Sequence, residues 1–251
     1  MKRIRVSDIN DHIKLLNDHN EGTGYLIIGS ERALIIDTMN GYENVKALAE
    51  TFTDLPITVV NTHGHPDHIF GNIFFEEAYM NSADFDLAEK WFSDKEFTEA
   101  IKNTGLKPSK LLPVKEGDVF DLGGISLEVY ELPGHTPGGI VLLDRRDRIL
   151  FTGDSIIEQT WLQLPESLTP TEFLANLDRL KYLRPEFDYI LTGHSRKPED
   201  ASLCEAHRNA VEELSLGKTE NDAPYEWFGG TCMAHPYGEG WRRIVYNEGK
   251  L

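Results

Sequence analysis

The sequence is poor in cysteine: Cys204 and Cys232 are the only two in 251 residues, and neither stands in a Cys-x-x-Cys pair. A zinc ribbon, a dithiol redox motif and a disulfide scaffold are thereby excluded, and free thiols in a reducing compartment are expected. No Gly-x-Ser-x-Gly elbow occurs, so a serine nucleophile of that type has no support. No apolar run approaches the roughly 18 residues of a transmembrane helix, and Met1 to Leu16 lacks the apolar stretch of a signal peptide. A soluble, cytoplasmic protein with no membrane partner is the expectation. Cations are also scarce, 25 Lys and Arg against 42 Asp and Glu, for a formal net charge of -17. That balance repels phosphate backbones and disfavours nucleic acid as a partner.

What is present reads as one layered α/β domain over residues 1–251, with no repeat and no low-complexity tract. Tyr25 to Gly29 and Ala33 to Asp37 are β-rich runs joined by a short polar turn, and Ile57 to Asn61 is a buried-strand run. Tyr42 to Phe52 has helical spacing, and Ser82 to Asn103 reads as helix in two pieces with a cap at Ser93 or Asp94. Residues 105–113 read as loop. Four strands are expected over 119–122, 126–132, 140–144 and 149–152, with a tight polar turn from Asp144 to Asp147. Thr169-Pro170-Thr171-Glu172 has the form of a capping box and opens a helix with an apolar face through Phe173, Leu177 and Leu180. A strand at 189–192, a helix over 200–216 stopped by Gly217, an aromatic loop over 217–240 and a last strand at 241–247 complete the pattern.

The informative segment is Thr62-His63-Gly64-His65-Pro66-Asp67-His68, directly after a buried-strand run. In extended chain His63 and His65 project to the same side, and Asp67 and His68 follow where the chain turns into helix. Imidazole with carboxylate suits zinc and other first-row divalent ions. Three more ligand types come later, each after an apolar strand and each preceded by glycine: His135, Asp154 and His194. Strand ends carrying ligands converge at one edge of a sheet, and glycine permits close backbone approach there.

These seven residues, their order and their glycine contexts resemble the metallo-β-lactamase superfamily. The resemblance implies a four-layer αββα sandwich with the site at one edge of its two sheets. It implies two metals per chain, zinc first with Mn²⁺ or Fe²⁺ as substitutes. His63, His65 and His135 would hold one ion, Asp67, His68 and His194 the other, and Asp154 would bridge. The implied activity is hydrolysis of a small-molecule ester, thioester, lactone or related bond by hydroxide held between the two zinc ions, with Asp67 handling the proton. Histidine at position 65, where di-iron members usually carry glutamate, points to the zinc hydrolases. An iron-dependent oxidoreductase of the persulfide dioxygenase type and a metal-binding protein without turnover are the alternatives. Among hydrolases, Ile157 stands where lactonases tend to have tyrosine. A small-molecule substrate and a homodimer are the partners the resemblance implies.

Outside the ligand set, Asp37 is read either as support for the ligands or as a strand terminator. Thr136 and Thr152 carry the same ambiguity. Trp161, Leu162, Tyr225, Trp227, Phe228, Tyr237 and Trp241 are candidates for an apolar pocket, Arg196 and Lys197 for anion contacts, and His235 for a cleft residue.

Overall fold

The computed structural model describes residues 3–251. A first sheet of seven strands is ordered along the chain: β1 (Ile4–Asp8), β2 (Ile13–Asp18), β3 (Gly22–Ile28), β4 (Ala33–Ile36), β5 (Ile57–Val60), β6 (Glu77–Asn81) and β7 (Lys110–Val114). The next strands are β8 (Val119–Asp121), β9 (Ser126–Glu131), β10 (Ile140–Asp144), β11 (Ile149–Gly153), β12 (Gln159–Trp161), β13 (Tyr189–Thr192) and β14 (Glu199–Asp200). All of these except β12 form a second sheet, in the order β14-β13-β11-β10-β9-β8. The last strands are β15 (Ala223–Trp227), β16 (Gly230–Pro236) and β17 (Arg243–Tyr246), and with β12 they make a third sheet ordered β12-β17-β16-β15.

The sandwich follows from a period of two within runs that are apolar on both faces. In β4, Leu34 and Ile36 face the second sheet while Ala33 and Ile35 face outward. In β10, Ile140 and Leu142 pack inward while Val141 and Leu143 face the opposite side. One core therefore lies between the sheets, where Ile13, Ile27 and Val60 meet Val129, Phe151 and Leu191. Each sheet's outer face is covered in turn. The first is covered by α1 (Val45–Ala49), through Val45 and Leu48. The second is covered by α5 (Pro170–Arg179) and α6 (Ser202–Ser215), through Phe173, Leu177, Leu203 and Val211. Between α1 and α5 come α2 (Pro66–Ile69), α3 (Phe85–Phe92) and α4 (Lys95–Ile101). This is the expected αββα arrangement. No helix among the described residues is long and apolar enough to cross a membrane.

Local signals were reliable where the chain alone sets them. Thr169 Oγ1 accepts from the Glu172 backbone N–H while Glu172 accepts from the Thr169 backbone N–H, so the capping box is real. Asp94, rather than Ser93, caps α4 by accepting from the N–H groups of Glu96 and Phe97. Three expectations need correction. The loop at 105–113 ends in β7, which pairs in parallel with β6. The first strand lies well before Tyr25, since β1 and β2 already form a hairpin. The aromatic segment 217–240 is mostly the β15–β16 hairpin, with Phe228 and Gly229 at its turn. Its strands alternate only weakly in burial, β15 being exposed to half-buried and β16 passing from exposed at Gly230 to buried at Ala234 and His235.

Candidate metal centre

The centre forms where strands stop. After β5 the chain passes through Asn61 and Thr62 to His63, and α2 begins at Pro66, which places Asp67 and His68 on its first turn. Gly153 ends β11 with φ +51° just before Asp154, and the chain leaving β13 passes through Gly193 to His194. Gly193 is required sterically: a Cβ there would lie 2.1 Å from Asp154 Oδ1 and 2.5 Å from His68 Cε1. His135 arrives from the loop after β9.

All seven predicted side chains meet. The His65 Nδ1 and His135 Nε2 atoms are 2.9 Å apart, and the His63 ring centroid is 4.8 Å from that of His65 and 4.9 Å from that of His135. On the other side, His194 Nε2 lies 3.4 Å from Asp67 Oδ2, and His68 Nε2 lies 3.5 Å from the same oxygen. Asp154 stands between the two groups. Its Oδ1 is 3.6 Å from His68 Nε2, and its Oδ2 is 3.2 Å from His194 Nε2 and 3.9 Å from His135 Nε2. The ligand atoms of His63, His65 and His135 lie within 4.8 Å of one another, as do those of Asp67, His68 and His194.

The donor set fits divalent cations. His63 Nε2, His68 Nε2 and Asp154 Oδ1 are buried and have no hydrogen-bond partner within the protein. Leaving three such atoms unpaired in one place is costly unless a cation takes their lone pairs. Burial, with the neighbouring imidazoles, holds His63 well below its ordinary pKa and His135 down to about 4, so both are neutral and ready to ligate at pH 7.

The outward-facing nitrogens of His63, His65, His68 and His135 are held by the protein, which fixes their tautomers. His135 Nδ1 donates to the Trp161 carbonyl at 2.7 Å, and His65 Nε2 donates to Glu166 Oε1 at 2.9 Å. Burial would raise the Glu166 carboxyl, but the hydrogen bond from His65 brings it down to about 2, so it accepts as a carboxylate. Asp37 serves two ligands at once. Its Oδ2 accepts from His68 Nδ1 at 2.9 Å and from Thr62 Oγ1 at 2.7 Å. With its proton committed to Asp37, Thr62 Oγ1 accepts from His63 Nδ1 at 3.0 Å. Asp37 is buried and has φ +58°, a conformation that Asp tolerates better than most residues. Of the two readings of Asp37 made from sequence, support for the ligands is the one the geometry carries.

Two contributors had no legible sequence signal. Glu166 sits in a loop far from the motifs. Asp84 closes the first turn before α3 and ties the loops that carry ligands, accepting from Gly64 N at 2.9 Å, Thr136 Oγ1 at 2.7 Å and Gly138 N at 2.6 Å. Thr136 thus acts through Asp84, whereas Thr152 donates to the Ile156 carbonyl and shapes the turn after Asp154. Asp84→Ala strands these donors in a buried site, and a loss of about 3–5 kcal/mol in unfolding free energy is expected by urea denaturation. A loss below about 1 kcal/mol would mean that the loops hold themselves.

A cleft of about 1130 Å³ opens over the centre. His65, Asp67, His135, Asp154 and His194 form part of its lining. Of the predicted aromatic set, Trp161, Trp227, Phe228 and Trp241 line it, and the Trp161 ring lies 5.6 Å from those of Trp227 and Phe228. The others do not. Leu162 is core, Tyr237 is buried with its hydroxyl donating to the Ile157 carbonyl, and the Tyr225 hydroxyl accepts from Gln159 Nε2. His235 is also corrected. It is buried between Asp222, 2.7 Å away, and Glu213, 3.1 Å away, and it pins β16 to α6 outside the cleft. Arg196 and Lys197 do line the cleft, joined by Lys90 of α3.

Residues 20–194 match the family model described as the metallo-beta-lactamase superfamily. The acyl-coenzyme A thioesterase MBLAC2 of Gallus gallus is 30% identical over 203 residues, covering 70% of this chain and 73% of that protein. The hydroxyacylglutathione hydrolase of Pelagibacter ubique is 25% identical over 206 residues, covering 81% of this chain and 79% of that one. Among solved structures, a metallo-beta-lactamase from Pontibacter korlensis superposes with a TM-score of 0.63 at 21% identity, covering 86% of this chain and all of that one, and it speaks to the fold alone. With the family model spanning more than half of its length and the ligand-bearing strand ends gathered as described, the chain belongs to the metallo-β-lactamase superfamily.

Proposed function

We propose that this hydrolase holds two zinc ions and cleaves thioesters that join an apolar acyl group to an anionic thiol. The observation that carries the reading is the composition of the cleft: one wall is aromatic, and Lys90, Arg196 and Lys197 stand beside the carboxylates of Glu158, Glu166 and Glu199 as cations for an anionic thiol to pair with. Anionic groups pair with such cations by direct charge-assisted hydrogen bonds even on an acidic protein. Acyl-coenzyme A and acylglutathione are both acyl derivatives of charged thiols, and they name the relatives described above.

His63, His65 and His135 would hold one ion, Asp67, His68 and His194 the second, with Asp154 shared. Bound there, the ions supply Lewis acidity and lower the pKa of water to near neutrality. The chain's own residues do the rest. Asp67 has a partly exposed carboxylate facing the cleft and is placed to take a proton from the attacking water and pass it towards the leaving group. Glu166, Asp37 and the Trp161 carbonyl keep the imidazoles in one tautomer and one orientation, so little reorganisation is needed at the moment of reaction.

The test is a substrate panel of acyl thioesters, lactones, phosphodiesters and β-lactams, run with zinc- and manganese-loaded protein. The highest kcat/KM is expected for long-chain acyl thioesters of anionic thiols. Preference for a phosphodiester or a β-lactam, or no turnover across the panel, would overturn the reading. Trp161→Ala combined with Phe228→Ala should cut kcat/KM for a dodecanoyl thioester by about 10-fold or more relative to its acetyl counterpart, since burying a large apolar group is worth about 1.5–3 kcal/mol. Equal losses for both acyl groups would remove the aromatic wall from the acyl subsite.

A further inference from the structure

A second group of ligand-type side chains lies at the other end of the strands. Asp144 ends β10, the strand that starts at Ile140, whose N–H donates to the Thr62 carbonyl beside His63. At about 3.3 Å per residue, Asp144 is on the order of 15 Å from the catalytic cluster. Asp147 lies in the turn between β10 and β11, and His12 in the turn between β1 and β2. The His12 Nε2 and Asp147 Oδ2 atoms are 2.5 Å apart, and one ligand atom from each of His12, Asp144 and Asp147 lies within 4.8 Å of the others.

Turn geometry explains only half of Asp144. Its Oδ1 accepts from the backbone N–H groups of Arg146 and Asp147 at 2.9 and 3.1 Å, as a turn-opening aspartate does. Its Oδ2 accepts from nothing, although the residue is fully buried. A buried carboxylate oxygen without a partner, beside a second carboxylate and an imidazole, is costly in a protein and well suited to a cation. Burial raises the Asp144 carboxyl, and the negative charge of Asp147 adds to the rise. A divalent ion counters both causes. The side chains of His12 and Asp147 are 17% and 20% exposed, so solvent and ions have access from one side.

We propose that His12, Asp144 and Asp147 form a structural site for a divalent transition-metal ion, distinct from the catalytic pair, that ties the first sheet to the second at the edge away from the cleft. One imidazole and two carboxylates match the hard-to-borderline donors that zinc accepts, with water completing the shell. The ion would join two hairpin turns that are far apart in sequence and would do so through the native state alone, which raises stability by mass action.

Equilibrium dialysis of the whole protein against Zn²⁺, with metal per chain read by plasma mass spectrometry, tests this. Wild type is expected to hold one equivalent more than His12→Gln or Asp147→Asn, while the kcat of both variants stays at the wild-type value. Zinc added to protein already replete at the catalytic centre should raise the thermal midpoint by about 5 °C in wild type and leave it unchanged in the variants. Diffraction from wild-type crystals at the zinc edge needs no variant, and an anomalous peak between His12 and Asp144 is expected. Equal metal content in wild type and variants, or anomalous peaks at the catalytic cluster alone, would overturn the site and leave a hydrogen-bonded His12–Asp147 pair in its place.

Discussion

Asp67→Ala is expected to lower kcat by at least about 10³-fold without unfolding the chain, the upper part of the range for loss of a positioned proton acceptor. The side chain is 30% exposed, on the first turn of α2, so removing it buries no orphaned donor and creates no cavity in the core. Its Oδ2 does stand within 3.5 Å of both His68 Nε2 and His194 Nε2, at the mouth of the cleft. The residue therefore has little to do with holding the fold and much to do with the centre. Asp67→Asn separates its two roles. The amide oxygen can still ligate, but the group cannot take up a proton near neutral pH. Metal content should fall less in Asp67→Asn than in Asp67→Ala, with turnover lost in both. Metal per chain and kcat measured on the same samples decide the matter, and turnover near the wild-type rate in either variant would remove Asp67 from the mechanism.

Asp37→Ala is expected to cost about 3–5 kcal/mol of stability in the metal-free protein and, separately, about 10- to 100-fold in metal affinity. The carboxylate is buried and accepts from Thr62 N at 2.8 Å, Thr62 Oγ1 at 2.7 Å and His68 Nδ1 at 2.9 Å. Alanine strands all three donors and adds strain at φ +58°. Asp37→Asn keeps the shape and tolerates the backbone, yet its NH₂ would face Thr62 Oγ1 and His68 Nδ1. His68 would then accept at Nδ1 and carry its proton on Nε2, the atom that faces Asp67 and Asp154. Asparagine should therefore damage metal binding more than folding. Urea denaturation of the metal-free protein and a competitive chelator titration separate the two effects. Unchanged metal affinity in Asp37→Asn would show that His68 is oriented by something other than this carboxylate.

The chemistry of the site was more legible than its scaffolding. His63, His65, Asp67 and His68 are close in sequence, and His135, Asp154 and His194 each follow glycine at the end of an apolar run, so residue type and strand boundary together mark them. The capping box at Thr169 and the stop at Gly217, where φ is +68°, are local for the same reason: a few consecutive residues set the backbone and satisfy its donors. Asp84 and Glu166 were silent because each acts on groups distant in the chain, Gly138 in one case and His65 in the other. The edge strand β7 and the β15–β16 hairpin were missed because their pairing partners, not their own patterns, make them strands.

The sequence by itself determined most of the strands and helices of a layered α/β chain and the donor-type residues at its strand ends, because periodicity, glycine position and donor type are properties of short segments, while the αββα fold, the grouping of the seven side chains and the hydrolase class followed from the resemblance of those motifs to the metallo-β-lactamase superfamily. Only the tertiary structure decided which nitrogen of each histidine faces the centre, that Asp37 supports both His63 and His68, and that His235 belongs to a buried pair outside the cleft. Those are matters of a few ångströms between residues tens of positions apart, set by how the two sheets pack and not by any local preference of the chain.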